Sequence, residues 1–290
     1  MNLTKSCQYL LILAFAVACP STLVLQAHAQ TMDPPKVIAF TRELVKPGKT
    51  GAVHDKSESQ FVQAMANAKW PTHYLGLNSL TGVSRAVFLI PYDSFDAMEK
   101  DNAATMKNKT LASALDHASV VDGDLLASMD SGILTYDEAM SYKPAIDISQ
   151  MRFLEVTVYQ VKPGKRKEWS DLVKMVKGAY DKAALGDVTW AVFDLAYGGD
   201  DGAYFVFTWH KSLAEIDHGM LEGKDFDKAL GADGLKKLDE LYGETVASAN
   251  NQLFAVNPNM SYVPESWTRQ TPAFWKMPSA SKASAKKPTP

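Results

Sequence analysis

Four side chains in the second half of the sequence could carry out acid–base chemistry. Glu155, Asp194, Tyr204 and His210 each stand in a segment where polar and apolar residues alternate, which is typical of a β-strand with one buried face. A buried carboxylate beside a histidine can act as a general base, because burial and pairing shift both pKa values. Such groups also occur as hydrogen-bonded packing. The sequence therefore leaves open whether these four residues react or only fill space.

Alternation along the predicted strands decides which side chains share one face. In segment 152–161 we place Leu154, Val156 and Val158 toward the helices, so that the residues between them face the space between two sheets. On the neighbouring strands, the same reasoning places the more polar set of alternating side chains toward this space. The residues predicted to line a ligand site are Glu155, Tyr159, Trp190, Asp194, Tyr204 and His210. The corresponding set in the first half is Val37, Ala39, Thr41 and Glu43.

Sequence motifs typical of several enzyme and cofactor sites are missing. The histidines show no His-x-His or His-Glu-x-x-His spacing, which would place metal ligands together. Pro163-Gly164-Lys165 lacks the glycine-rich cradle of a phosphate-binding loop, and no Gly-x-Ser-x-Gly nucleophile turn occurs. We therefore predict no metal site and no cofactor, and the catalytic residues, if any, stay unknown.

A duplicated stretch indicates how these residues are positioned. Val45-Lys46-Pro47-Gly48-Lys49 recurs as Val161-Lys162-Pro163-Gly164-Lys165, and Met140-Ser141-Tyr142 recurs as Met260-Ser261-Tyr262. Both copies of Val-Lys-Pro-Gly-Lys follow a strand-like run and precede a helix-like one, since Pro-Gly favours a turn, and each Met-Ser-Tyr copy closes one half. We predict an α+β fold of two tandem ferredoxin-like β-α-β-β-α-β repeats, over residues 30–146 and 147–264.

The periodicity of apolar residues predicts the individual elements. Ser94 and Ser212 are expected to cap helices, because serine is a favoured residue at a helix N-terminus. The expected helices cover 57–68, 94 onward, 109–129, 167–184, 213–218 and 234–249. The expected strands cover 37–45, 72–77, 85–92, 133–136, 152–161, 188–197, 203–210 and 253–256.

The strand-Lys-Pro-Gly-Lys-helix order, the hairpin and the short strand after a long helix resemble the dimeric α/β barrel superfamily. That group includes antibiotic-biosynthesis-type monooxygenases, NIPSNAP-like proteins, haem-degrading enzymes and chlorite-dismutase-like proteins. The resemblance covers roughly residues 36–264 and implies that the two sheets pack face to face as an intramolecular barrel. It also implies a ligand between the sheets. The resemblance offers haem as the alternative to a protein without a cofactor. No histidine occurs at matching positions of the two halves, so no haem ligand can be carried over from the family.

The N-terminal segment is typical of an exported protein. Lys5 precedes an apolar run from Tyr9 to Cys19, and Ala27-His28-Ala29 forms a small-x-small cleavage site, so we predict a signal peptide over residues 1–29. A lipoprotein anchored at Cys19 is the alternative. The only two cysteines, Cys7 and Cys19, lie in this segment. The expected location is the periplasm or the medium, without disulfides.

Composition limits the partners. The 290 residues carry a net charge of −3, which does not favour binding to nucleic acid. We expect no membrane span and a monomeric pseudo-dimer.

Residues 265–290 form a tail in which Trp267, Phe274 and Trp275 could strap onto the barrel, with disorder from about residue 279. The function predicted is binding of a small apolar ligand, with a monooxygenase-like oxidoreductase, cofactor-free or haem-dependent, as the alternative.

Overall fold

The structure, a computed structural model, describes residues 31–276. The predicted signal peptide, and the predicted disorder from about residue 279, lie outside the described residues. The alternative anchor at Cys19 lies outside them as well.

Eight antiparallel strands close into one barrel. Around the barrel their order is β1-β3-β2-β8-β5-β7-β6-β4, and β4 pairs with β1 to complete the ring. Strands β1 to β4 thus form one contiguous arc and strands β5 to β8 form the other. The predicted α/β barrel is therefore confirmed as a closed sheet of eight strands. The strands are β1 (Val37–Val45), β2 (Leu75–Ser79), β3 (Arg85–Tyr92), β4 (Leu126–Tyr142), β5 (Phe153–Val161), β6 (Trp190–Tyr197), β7 (Ala203–His210) and β8 (Val246–Val256).

The helices cover the outside of the barrel, and short helices follow β8. Ser94 caps α2 as predicted, because its hydroxyl accepts a hydrogen bond from the amide of Ala97 at 3.1 Å. Ser212 does not cap α5, since that helix begins after Leu213 without a side-chain cap. The helices are α1 (Ala52–Ala68), α2 (Phe95–Lys107), α3 (Lys109–Gly123), α4 (Arg166–Ala183), α5 (Ala214–Thr245), α6 (Glu265–Gln270) and α7 (Pro272–Trp275).

Several predicted element boundaries are wrong, including the starts of α1 at Ala52 and of β8 at Val246. The helix expected over 109–129 ends at Gly123, and β4 then runs for 17 residues instead of the four expected over 133–136. Pairing with β1 on one side and β6 on the other supplies backbone hydrogen bonds along this strand, and such pairing outweighs a local helical pattern. Helix α5 is continuous where the sequence predicted two helices, over 213–218 and 234–249, with a gap between them. Its backbone is non-helical at Gly231.

The predicted facing of the strands is reversed. Leu154, Val156 and Val158, expected toward the helices, pack inside the barrel with Phe193 and Phe205. The interior of an eight-stranded barrel is just wide enough to be filled by side chains, so the most apolar set of each strand points inward. The more polar set packs beneath the helices instead.

The C-terminal segment packs across the barrel, as predicted for its three aromatic residues. Trp275 is buried in the same core cluster as the inner strand residues, and Trp267 and Phe274 pack against that cluster. The indole nitrogen of Trp275 donates to the carbonyl of Ser149 at 3.0 Å. The guanidinium of Arg152 lies 3.8 Å from the ring centre of Phe274. Within residues 31–276, no helix is long and apolar enough to cross a membrane.

Close backbone packing between β2 and the segment after β8 generates a prediction. A Cβ atom added at Gly76 would lie 2.5 Å from the carbonyl oxygen of Met260, a residue that is fully buried. Because that neighbour is backbone, we expect Gly76→Ala to lower the free energy of unfolding in urea by ~1–3 kcal/mol.

The matched control is Gly178→Ala on α4, where nothing lies within 4 Å of the added atom. This substitution should leave stability unchanged or raise it by up to about 1 kcal/mol, since alanine favours a helix over glycine. Equal stability of the two variants would contradict the close approach of Gly76 and Met260.

Candidate functional site

A cavity of about 720 Å³ lies at one end of the barrel. It is found where β1, β2 and β6 begin and where β3 and β7 end. Its floor is formed by inward-facing side chains from these strands, and several of them belong to the barrel core. They include Ile38, Leu75, Leu89, Phe193, Phe207 and Trp209.

Loops from both halves of the chain complete the wall. Segments 32–36, 71–74 and 144–148 contribute, together with the start of the C-terminal segment at Val263, Pro264 and Trp267. Proline and aromatic residues recur in these loops, so the wall is mainly apolar. Ligand pockets of ~300–1,000 Å³ with a few polar groups are typical of small-molecule sites.

The barrel centre contains a cluster of buried apolar side chains. A second void, of about 40 Å³, lies next to the cavity and is lined by core side chains such as Phe40, Leu134 and Phe254. A ligand between the two sheets would therefore occupy the open end of the barrel and not its centre.

His73 supplies a polar group in the cavity wall. Its ring stacks on Tyr262 with the ring centres 4.8 Å apart. Burial lowers the pKa of His73, although a backbone hydrogen bond with Pro71 acts in the opposite direction. The ring is thus neutral at neutral pH, and a neutral imidazole can both donate and accept a hydrogen bond.

Asp101 holds the adjoining wall in place. Its carboxylate accepts hydrogen bonds from the indole of Trp70 at 2.9 Å, the hydroxyl of Thr72 at 2.6 Å and the hydroxyl of Tyr92 at 3.0 Å. These bonds connect α2, the segment before β2 and the end of β3. Burial, followed by the nearby charge of Asp101, raises the pKa of Tyr92, so that hydroxyl stays protonated and remains a donor.

The ionisable residues predicted from the sequence form two separate pairs. The Nε2 atom of His210 lies 3.5 Å from a carboxylate oxygen of Glu155. Asp194 and Tyr204 stand opposite each other on β6 and β7, where burial raises the pKa of Asp194. Tyr204 and His210 are six residues apart on one strand, or about 20 Å at ~3.3 Å per residue. The four side chains therefore do not converge.

The aromatic members of the predicted set lie on the helix-covered face. Tyr159 and Tyr204 pack around the buried indole of Trp169 on α4. Trp190 also packs there, stacking on Tyr142 at 4.8 Å, and its indole nitrogen donates to the carbonyl of Met140 at 3.0 Å. Of the six predicted residues, Trp190 is the one that lines the cavity.

A buried polar cluster that the sequence analysis missed lies between the first sheet and its helices. Glu43 is on β1, His54 and Glu58 are one turn apart on α1, and Asp122 is on α3. The Nε2 atom of His54 lies 3.2 Å from Glu43, 3.4 Å from Asp122 and 3.8 Å from Glu58. The four residues are between 2% and 6% exposed. We refer to them as the carboxylate–histidine cluster.

Burial dominates the electrostatics of this cluster. It raises the pKa of Glu43, and together with the charges of Glu43 and Asp122 it raises the pKa of Glu58 to about 10. One sequence signal could have found the cluster. His54 and Glu58 are spaced i, i+4, which places them on one helix face; the helix expected from residue 57 left His54 outside it.

Comparisons with known proteins agree with the fold. No protein-family model matches the chain, and no curated protein matches it. A monooxygenase candidate from Fusobacterium nucleatum is similar in structure, with a TM-score of 0.50 and 13% identity over 78% of this chain and 94% of that one. The chain therefore shares the α/β barrel fold of that protein.

Two further solved structures are similar to a lesser degree. One is a monooxygenase candidate from Lactobacillus acidophilus, with a TM-score of 0.47 and 9% identity over 78% of this chain and 94% of that one. The other is a mutant chlorite dismutase from Candidatus Nitrospira defluvii, with a TM-score of 0.46 and 10% identity over 80% of this chain and 95% of that one.

The position of Glu155 on the helix-covered face generates a prediction. We expect Glu155→Gln to leave ligand binding in the cavity unchanged, because Glu155 does not line it. Its side chain is 35% exposed, so losing the pair with His210 should cost at most about 1 kcal/mol of stability. Urea unfolding and a titration with an apolar fluorescent probe measure the two effects. Weaker probe binding would instead support the ligand-binding role predicted for Glu155 from the sequence.

Proposed function

We propose that this chain is an exported α/β-barrel protein that binds one small, mainly apolar molecule in the cavity at the end of the barrel. The observation that carries the proposal is the cavity itself. It is large enough for a small organic ligand, whereas the void beside it measures only about 40 Å³. Stabilisation of the fold alone does not require such a space, since an unfilled apolar cavity costs free energy.

The wall indicates the chemical class of the ligand. Trp209 and Trp267 contribute large aromatic residues to the cavity wall, and flat or aromatic ligands favour such surfaces by stacking. His73 offers one hydrogen bond to a hydroxyl or carbonyl group of the ligand. An aromatic or polycyclic molecule with few polar atoms matches this arrangement.

Filling the cavity from α2 tests the proposal. Ala97 lines the cavity on the first turn of that helix. We expect Ala97→Trp to weaken binding of the neutral probe N-phenyl-1-naphthylamine at least tenfold, because the indole would occupy part of the space. The probe's own fluorescence, excited directly, is the measurement.

The matched control is Ala104→Trp on the same helix, at an exposed position that does not line the cavity. It adds the same side chain and should leave the affinity within about twofold of the unmodified protein. Equal effects of the two substitutions, or no probe binding by the unmodified protein, would overturn the proposal.

A second candidate function is that of a monooxygenase-like oxidoreductase acting on the bound molecule. The description of the similar structure from Fusobacterium nucleatum as a monooxygenase candidate supports this second function. A neutral His73 beside an apolar cavity is the observation in this chain that favours it. In the cofactor-free version, His73 would accept a proton from an acidic C–H or O–H group of the substrate.

In the haem-dependent version, His73 would be the residue that holds the iron. Among the described residues it is the histidine that lines the cavity, and its low pKa leaves a neutral nitrogen for coordination. Its backbone hydrogen bond resembles the contacts that orient metal-bound histidines. Haem would supply redox chemistry at the iron, while the apolar wall would exclude water.

An absorption spectrum distinguishes these versions. A haem site predicts a Soret band after addition of haemin in equimolar amount, and loss of that band in His73→Ala. Binding of the apolar probe without a Soret band would favour the cofactor-free protein. Loss of probe binding when haemin is added would show that the two share the cavity.

The repeat organisation of the chain, its monomeric state and its export belong to the same proposal. We infer that residues 30–146 and 147–264 are tandem ferredoxin-like repeats and that the chain is monomeric, each arc of strands taking the place of one subunit of a dimeric barrel. The repeated Val-Lys-Pro-Gly-Lys stretch supports this inference, and so does the equivalent position of its two copies after β1 and β5. The signal-like N-terminus supports export to the periplasm or the medium.

A further inference from the structure

We propose that the carboxylate–histidine cluster of Glu43, His54, Glu58 and Asp122 binds one divalent first-row transition-metal ion. The site would join β1, α1 and α3 and is separate from the wall of the ligand cavity. The class of ion is Mn²⁺, Fe²⁺, Co²⁺ or Zn²⁺, because the donors are three carboxylates and one imidazole.

The geometry of the donors supports this assignment. One donor atom from each of the four residues lies within 4.8 Å of the other three. A metal ion with bonds of ~2.0–2.2 Å holds opposite donors about 4.4 Å apart and adjacent donors closer. The spacing of the four atoms is thus close to that of a metal's ligands. The donors come from three elements, so the ion would fasten both helices to the sheet.

The charges of the cluster require compensation. Three carboxylates and one histidine share the same buried space, and in the described part of the chain the ion-pair partner of each carboxylate is His54. A cation bound among the three carboxylates would neutralise their charge. Burying such groups is costly unless they are paired or coordinate a metal.

Unpaired polar atoms provide an independent observation. One carboxylate oxygen of Glu58 and one of Asp122 accept no hydrogen bond, and the buried hydroxyls of Ser57 and Tyr74 have no partner either. Ser57 lies beside Glu58 on the buried face of α1. The charges of Glu58 and Glu43 act on Tyr74 and contribute to its raised pKa. Buried groups without partners are rare and are often explained by a missing ion.

The second half of the chain shows that the fold does not require polar groups at this place. On α4, Trp169, Leu172 and Val173 are buried with the same spacing as His54, Ser57 and Glu58 on α1. The position on β5 that corresponds to Glu43 is Tyr159, and Leu238 and Leu241 of α5 pack nearby. An apolar cluster fills the second half, whereas the first half has four ionisable side chains.

Metal binding is tested on the purified full chain. After treatment with a chelator, the protein should bind one Mn²⁺ per chain, seen as loss of the free six-line signal in electron paramagnetic resonance. Saturating Mn²⁺ or Zn²⁺ should raise the Tm by about 5 °C or more, since a ligand that binds only the folded state stabilises it. Neither measurement depends on the ligand cavity, so its failure and that of the proposed function are distinguishable.

Two double variants identify the site. Glu43→Gln with Glu58→Gln keeps the side-chain size, and it should weaken Mn²⁺ binding at least 100-fold and abolish the metal-dependent rise in Tm. Glu155→Gln with Asp194→Asn makes the same change of chemistry in the second half and should keep both responses. If the first double variant does not fold, His54→Gln replaces it, with the same expected loss of binding.

Specific results would overturn the proposal. One is an undiminished free Mn²⁺ signal at equimolar protein combined with an unchanged Tm in Mn²⁺, Fe²⁺, Co²⁺ and Zn²⁺. The cluster would then be a group of carboxylates that share protons. Equal metal binding by the two double variants would also overturn it, because the ion would then lie elsewhere.

Discussion

Closure of the sheet is the constraint on which the structure depends. Each arc of four strands has an apolar inner face, and that face is buried only because the two arcs meet at the β2–β8 and β4–β6 junctions. The β2–β8 junction is short, with three register pairs from Leu77 to Ser79. A closed sheet leaves no unpaired strand edge. The cavity forms where this closed wall ends and loops from both halves cover it.

The sequence predicted the fold well because its signals were local or repeated. The Pro-Gly turns, the cap at Ser94 and the strand over 203–210 all depend on neighbouring residues, and they agree with the structure. The facing of β5 could not be predicted from alternation alone, since alternation separates two faces without saying which one is inside. In this barrel apolar side chains pack both inside the sheet and beneath the helices, so polarity did not show which face of a strand points inward.

The sites depend on contacts that no local pattern contains. The carboxylate–histidine cluster joins Glu43 and Asp122, which belong to elements far apart in sequence, and only the pair His54 and Glu58 has a recognisable spacing. The cavity wall is built from several loops whose apolar residues resemble ordinary core residues in the sequence. Trp190 was selected from the sequence for facing the barrel, yet it reaches the cavity from the first position of β6.

The β2–β8 junction also has a consequence for how the chain folds. Leu77 pairs with Val256, so one of the two junctions joins residues far apart in the sequence. Contacts between residues so distant in sequence form slowly, because a long loop must be closed first. During synthesis the first arc would therefore emerge with its inner apolar face uncovered. That face can associate with other molecules until β8 pairs with β2. Pairing of the last strand is therefore the step that protects the first half of the molecule.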